Sequence, residues 1–168
     1  MKKEEKTIQS NIIYKGKILT LNNDEVLCPN GNKSYREIIH HHGGVCILCL
    51  VDNKVIMTKQ YRYAYQEELY ELPAGKLEKD EDSYQTGLRE LEEETGYKAE
   101  SLTDLGVMYP TCGYSDEIIH LYSANNVTKV DRHLDDDEVI ELFKFSIDEI
   151  LQMIDKGLTK DKQEVAHL

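Results

Sequence analysis

The segment from residue 75 to residue 97, GKLEKDEDSYQTGLRELEEETGY, limits what this chain can become more than any other. It opens as a turn-rich loop and closes as a helix. Tyr84, Leu88, Leu91 and Thr95 recur at steps of four, three and four, the period of one buried helical stripe. Asp82, with Gln85 three residues on, resembles a capping box, and Gly96 stands where a C-terminal cap belongs. At roughly 100° per residue, Glu94 lies about 40° from Glu90 and Glu93 about 60° to its other side. Those three carboxylates therefore share a face expected to be clear of the core, and Glu92 points elsewhere. Like-charge pairs at this spacing cost an isolated helix about 0.2–0.5 kcal/mol each. Arg89, four residues before Glu93, offsets part of that cost. A bare run of glutamates is ordinarily a solvated helix face. Several carboxylates on one rigid face are also what Mg²⁺ or Mn²⁺ prefers, above all when phosphate oxygens complete the shell.

The formal net charge of −12 argues against a nucleic-acid or anionic-membrane surface, either of which needs a basic face. It leaves a nucleotide-like substrate open, because bound divalent cations reverse the sign of an acidic pocket. At 168 residues the chain is long enough for one substantial core. No apolar run approaches the ~18 residues of a membrane span. The opening MKKEEKTIQS lacks the apolar stretch of a secretory signal. Cys28, Cys46, Cys49 and Cys112 form no disulfide framework. Cys46 and Cys49 sit in VCILCLV, where an odd offset along a strand points two thiols to opposite faces, so they cannot share a metal. Reduced thiols fit a cytoplasmic protein.

Strands are expected over most of the first forty residues, with Asn30-Gly31 as a hairpin turn and Pro29 marking an edge position. Gly43-Gly44 marks a boundary. Beyond it, VCILCLV and KVIMTKQY form a hairpin around Asp52-Asn53. Residues 117–124 and 138–145 read as further strands. Residues 146–157 read as a second helix, with a Ser146/Glu149 capping box, a stripe of Ile147, Ile150, Leu151 and Ile154, and Gly157 as the stop. Strands interleaved with two helices imply a mixed sheet with helices packed against it.

The spacing Gly75-x5-Glu81-x7-Arg89-Glu90-Leu91-x-Glu93-Glu94-x-Gly96-Tyr97 resembles the Nudix box, G-x5-E-x7-R-E-U-x-E-E-x-G-U, with U a bulky apolar residue. Tyr97 is a mild departure at the last U. The resemblance implies an α+β fold: a Nudix α/β/α sandwich with a mixed sheet over residues 44–168. A small N-terminal antiparallel β region, residues 1–43, would serve dimerisation and the adenine side of the site. It also implies a hydrolase that cleaves a nucleoside diphosphate linked to another moiety, using divalent metal. Gly75 would lie in the loop that shapes the phosphate site. The backbone carbonyl of Ala74 and the side chains of Glu90 and Glu94 would be metal ligands, Glu93 a metal or water contact, and Arg89 the residue that orients the cluster. Gly87 departs from the small non-glycine residue often found there. Glycine costs a helix interior about 1 kcal/mol relative to alanine, so close packing or a bend is expected.

Outside the box, REIIHHHGGV, KQYRYAYQEELYELPAGKLEKDE, YPTCGYSDEIIHLYSA and Pro110 resemble the ADP-ribose pyrophosphatase subgroup. By that resemblance Arg62 would contact the diphosphate or terminal ribose, Glu37 would bond the adenine amino group and Arg36 would stack on the ring. An arginine there departs from members with an aromatic residue. A homodimer whose two sites each use both chains is implied as well. The acidic run LDDDEVIEL, residues 134–142, is too short for an EF-hand and lacks its glycine. Relatives place a glutamate here, so Glu138 is the candidate general base or third-metal ligand, with Asp136 its rival and a box glutamate the alternative base. His40, His41 and His42 alternate along a strand, and no histidine metal site is expected. The implied reaction is Mg²⁺- or Mn²⁺-dependent hydrolysis of ADP-ribose to AMP and ribose 5-phosphate. The rivals are another nucleotide sugar or a dinucleotide as substrate, a non-catalytic ADP-ribose sensor, and a metal-buffering protein.

Overall fold

The computed structural model describes residues 3–134 and 138–157, which fall into two compact units. One gathers the described residues up to Gly43 with Tyr109–Ile118, and the other holds Gly44–Met108 with the described residues from Ile119 onward.

In the first unit β1 (Lys6–Lys15), β2 (Leu19–Leu27) and β3 (Lys33–His41) form an antiparallel sheet in sequence order. The turn after β2 closes where Cys28 N–H donates to Asn32 O at 2.8 Å, and Gly31 supplies φ +86° there. Pro29 lies in this turn, and β2 is the central strand. The expected edge position is therefore wrong: a proline in a turn withholds no ladder hydrogen bond. Segment 109–118 docks on β3, with Ile39 N–H donating to Tyr114 O at 2.7 Å and Asp116 N–H to Ile39 O at 3.1 Å. His40 Nδ1 meets Asp116 Oδ2 at 2.6 Å and His41 Nδ1 meets Glu117 Oε1 at 3.2 Å, so these two histidines face carboxylates.

The second unit contains β4 (Gly44–Val51), β5 (Lys54–Arg62), β6 (Glu67–Glu71), β7 (Ala74–Lys76), α1 (Ser83–Thr95), β8 (Tyr97–Ala99), β9 (Thr103–Met108), β10 (Ile119–Ala124), β11 (Val127–Lys129), β12 (Glu141–Phe145) and α2 (Ile147–Asp155). The order β12-β5-β4-β10-β9, with β10 parallel to β4 and the other pairs antiparallel, makes a mixed sheet. Asp52 and Asn53 turn the β4–β5 hairpin at φ 53° and 58°. Alternation along β4 divides the core. Val45, Ile47 and Cys49 pack with Leu91 of α1, while Cys46 packs with Ile150 of α2 on the other face. Leu91 and Ile150 are fully buried, worth ~1.5–3 kcal/mol each.

β4 and β5 pair only near their turn, at Leu50↔Val55 and Val51↔Lys54. Beyond that they part, and the space is taken by β6 against β5 and β7 against β4. This wedge carries Ala74 and Gly75 to the strand of which Gly44 is the first residue. Gly87 is explained by close packing, since a Cβ there would stand 2.9 Å from Leu102 Cδ1.

Further expectations need correction. The strands expected over 117–124 and 138–145 begin at Ile119 and Glu141. In α2 the capping box holds, but Ile147 and Leu151 are exposed; Ile150 is buried and Ile154 half-buried. Ile150 joins the core cluster of Cys46, Val55 and Met57 and Ile154 packs against it, so the buried edge is narrower than the apolar stripe. The short strands β6, β7, β8, β9 and β11 were not expected, because none carries a long enough alternation to be read alone.

Candidate active site

The acidic helix is anchored before any glutamate is placed. Asp82 Oδ1 accepts from Gln85 N–H at 3.0 Å, and Gly96, at φ 65°, donates its N–H to Glu92 O at 2.8 Å. In the preceding loop Glu81 accepts from Glu78 N–H at 3.0 Å and from Arg89 Nη2 at 3.3 Å. Arg89 then reaches Glu93 at 2.8 Å and Glu90 at 3.0 Å. One guanidinium thus ties loop and helix through three carboxylates. Partial burial pulls its pKa down, but those carboxylates outweigh this and raise it above the usual arginine value. Glu92 turns away to Lys98 at 3.1 Å.

The helical face is not clear of the core as periodicity implied. Glu94 is 3% exposed and the Glu90 side chain 15%, whereas the Glu93 side chain is 41% exposed. β7 closes over the first two. Ala74 N–H donates to Glu94 Oε2 at 3.1 Å, and a Cβ on Gly75 would fall 2.0 Å from Glu90 Cδ. A Cβ on Gly44 would in turn stand 2.9 Å from Gly75 O. Both glycines are there for close approach. Gly44 was legible only as a boundary.

Burial pushes the Glu90 carboxyl up to about 7, against the opposing pull of Arg89; Glu93 and Glu138 push further. Burial pushes Glu94 up to about 8, with the Ala74 N–H and Arg62 opposing and Glu90 and Glu138 adding to the rise. Buried acids kept from ionising by desolvation and by one another are what a divalent cation relieves. Their hard carboxylate oxygens, beside a loop trimmed to glycine, fit such an ion. Among the described residues no group of three or more His, Cys, Asp or Glu side chains is gathered as a complete cage. The glutamates are turned instead to Arg89 and Ala74.

Glu90 and Glu94 hold protons more tightly in the folded chain than their ordinary value of 4.5 allows in the unfolded one. Their contribution to stability is therefore fully present below pH 4.5 and is lost as pH rises through about 7 and 8. Between those limits each group gives up about 1.4 kcal/mol for every tenfold fall in proton concentration. The thermal midpoint of the cation-free chain is expected to fall between about pH 5 and pH 8.5. Glu94→Gln should flatten that fall, and Mg²⁺ should raise the midpoint more at about pH 8 than at about pH 6, because binding displaces protons. Parallel curves for the two proteins would show that Glu94 does not titrate in this window.

At the end of β5, Arg62 donates from Nε and Nη2 to Glu71 at 2.6–3.0 Å, and Gln60 Nε2 reaches the same carboxylate at 3.2 Å. The Glu71 side chain is 7% exposed and the Arg62 side chain 39%, so a buried acid holds a half-exposed cation. No motif or spacing in the sequence marks Glu71. Its register with β5 depends on the turn Tyr63–Gln66, which contains no glycine, proline or asparagine and relies on Gln66 at φ 58°. Glu138 is described and exposed; its rival Asp136 lies outside the described residues. Arg36 and Glu37 lie on β3 of the first unit, where Arg36 bonds Glu5, Ser34 Oγ and Tyr35 O, and Glu37 is exposed. At Tyr97, the departure in the box, Lys129 Nζ stands 4.3 Å from the ring centre.

A family model described as the NUDIX domain matches residues 40–168. The chain is 43% identical over 165 residues to a protein of Bacillus methanolicus named methanol dehydrogenase activator, covering 96% of this chain and 89% of that one. It is 42% identical over 155 residues to a protein of Bacillus subtilis (strain 168) named ADP-ribose pyrophosphatase, covering 90% and 84%. A solved structure described as an ADP compounds hydrolase superposes with a TM-score of 0.85 at 16% identity, covering 98% and 90%. At that identity the last likeness speaks to fold alone.

Proposed function

From the premise that this chain belongs to the NUDIX family, we propose that it is a pyrophosphatase that hydrolyses ADP-ribose to AMP and ribose 5-phosphate with Mg²⁺ or Mn²⁺. The observation that carries the substrate is the 42% identity, over most of both chains, to a protein named ADP-ribose pyrophosphatase. The arrangement of the second unit supports the chemistry.

Glu90, Glu94 and the Ala74 carbonyl would hold the cation, with Glu93 at the margin. When bound, the cation supplies charge neutralisation on the diphosphate and acidifies water. Arg89 keeps Glu90 and Glu93 oriented through the pairs already described. Arg62, gripped by Glu71, offers a preset positive charge to the diphosphate as negative charge builds in the transition state. Glu138 is assigned the removal of the proton from attacking water, with a box glutamate as the alternative base.

The test is a panel of ADP-ribose, nucleotide sugars and dinucleotides incubated with Mg²⁺ or Mn²⁺, with products identified by mass. AMP and ribose 5-phosphate from ADP-ribose, formed faster than products from the rest, are expected. Tight ADP-ribose binding without cleavage of any member would point to a sensor instead. A second reading rests on the relative named methanol dehydrogenase activator. An increase in methanol dehydrogenase turnover on adding the chain, undiminished by Glu94→Gln, would separate activation from hydrolysis.

The roles of Arg36 and Glu37 toward adenine are part of this proposal, as is a homodimer. In support of the homodimer, every residue of β1 is exposed, including Ile8, Ile12, Ile13 and Tyr14. Light scattering is expected to return twice the 19.4 kDa of one chain, and Ile12→Asp with Ile13→Asp to return one. Four free cysteines support a cytoplasmic location, and no described helix is long and apolar enough to cross a membrane.

A further inference from the structure

The C-terminal turn of α1 has no basic residue of its own, yet cations and N–H groups from another segment cover its carbonyls. His133 N–H donates to Glu93 O at 3.2 Å, Lys129 Nζ to Thr95 O at 2.9 Å, and Val130 N–H to Gly96 O at 2.9 Å. Arg132 Nε donates to Glu94 O. Residues 129–133 therefore form a strap over the end of the acidic helix. Two cations stand at its negative dipole end, where such charges are favourable.

Arg132 does more than cap. Its Nη2 donates to Ile140 O at 2.7 Å, so one planar guanidinium bridges the backbone of Glu94 and the backbone of Ile140. Ile140 is 5% exposed and lies two residues after Glu138. The segment that carries Glu138 is thereby tied, at a buried anchor, to the helix position that carries Glu94. A guanidinium presents its donors in a rigid fork, so the two carbonyls are held in a set relation that a lysine ammonium cannot reproduce.

We propose that Arg132 is a positioning residue for the hydrolysis: by bridging Glu94 O and Ile140 O it sets where Glu138 stands relative to the Glu90/Glu94 carboxylates. It rests on the assignment of Glu138 made above. Displacement of a reacting group by an ångström costs about 100-fold, so Arg132→Ala is expected to lower kcat by about 10- to 100-fold and to change KM by less than about 3-fold.

The test is a double-mutant cycle of Arg132→Ala and Glu138→Gln, with kcat and KM measured in Mg²⁺ and the thermal midpoint measured without added cation. If Arg132 acts through Glu138, its loss costs less than about 3-fold in kcat once Glu138 is glutamine, although the midpoint still falls in both backgrounds. Arg132→Lys serves if the alanine variant does not fold: it keeps a cation at the helix end and should recover the midpoint but not kcat. Equal fold losses in both backgrounds, or full activity in Arg132→Lys, would overturn the proposal and leave Glu138 standing. Full activity in Glu138→Gln would overturn both the proposal and the Glu138 assignment. A failure of the hydrolysis itself is read separately, from the unaltered chain on the substrate panel.

Discussion

Replacing Glu94 with glutamine is expected to lower kcat/KM by about 1,000-fold, or about 4 kcal/mol of transition-state stabilisation. The substitution keeps the shape of a side chain that is 3% exposed, and the glutamine carbonyl oxygen can still accept from Ala74 N–H, at 3.1 Å in the native pair. What it removes is the capacity to become a carboxylate, which burial delays to about pH 8 in the absence of a cation. The same variant should therefore be no less stable than the parent without cation at about pH 8, and should gain less from added Mg²⁺. Loss of activity with cation-free stability retained is the diagnostic. Retained activity would remove Glu94 from the ligand set. Lost activity with a lowered cation-free midpoint at that pH would assign it a structural role only.

Gly75→Ala should cost about 100-fold in kcat/KM while the chain stays folded. The added Cβ would arrive 2.0 Å from Glu90 Cδ and 2.2 Å from its Oε1. Those atoms are the end of a flexible side chain, so the fold can yield by swinging the Glu90 carboxylate aside. The carboxylate is then misplaced. Because the damage is routed through Glu90, Gly75→Ala should add little in a Glu90→Gln background. Full additivity of the two losses would show that Gly75 acts by another route, such as the approach of Gly44 to its carbonyl.

The box disclosed its own local structure because its information is local. Gly96 ends α1, Asp82 caps it, and Arg89 pairs with Glu93 four residues on, all within a single helix and its flanks. Strand alternation is local in the same way, and it sends Cys46 and Cys49 into different core clusters. Where the site depends on chain crossing chain, the sequence was mute. Glu71 meets Arg62 only because a turn without the usual turn residues sets the β5–β6 register. Arg132 meets Glu94 across 38 positions, from a stretch with no periodicity to flag it.

By itself, then, the sequence determined that residues 75–97 make a loop and a capped helix, that Glu90, Glu93 and Glu94 share a face, and which family such a spacing resembles. Only the tertiary structure decided that Glu94 is buried, Glu90 largely covered and Glu93 left half-exposed. Helical periodicity depends on backbone angles and is written in neighbouring residues. Desolvation depends on what closes over a side chain, here β7 brought in by the parting of β4 and β5. That burial raises the Glu90 carboxyl to about 7 and the Glu94 carboxyl to about 8, and it has no signature in the order of the residues.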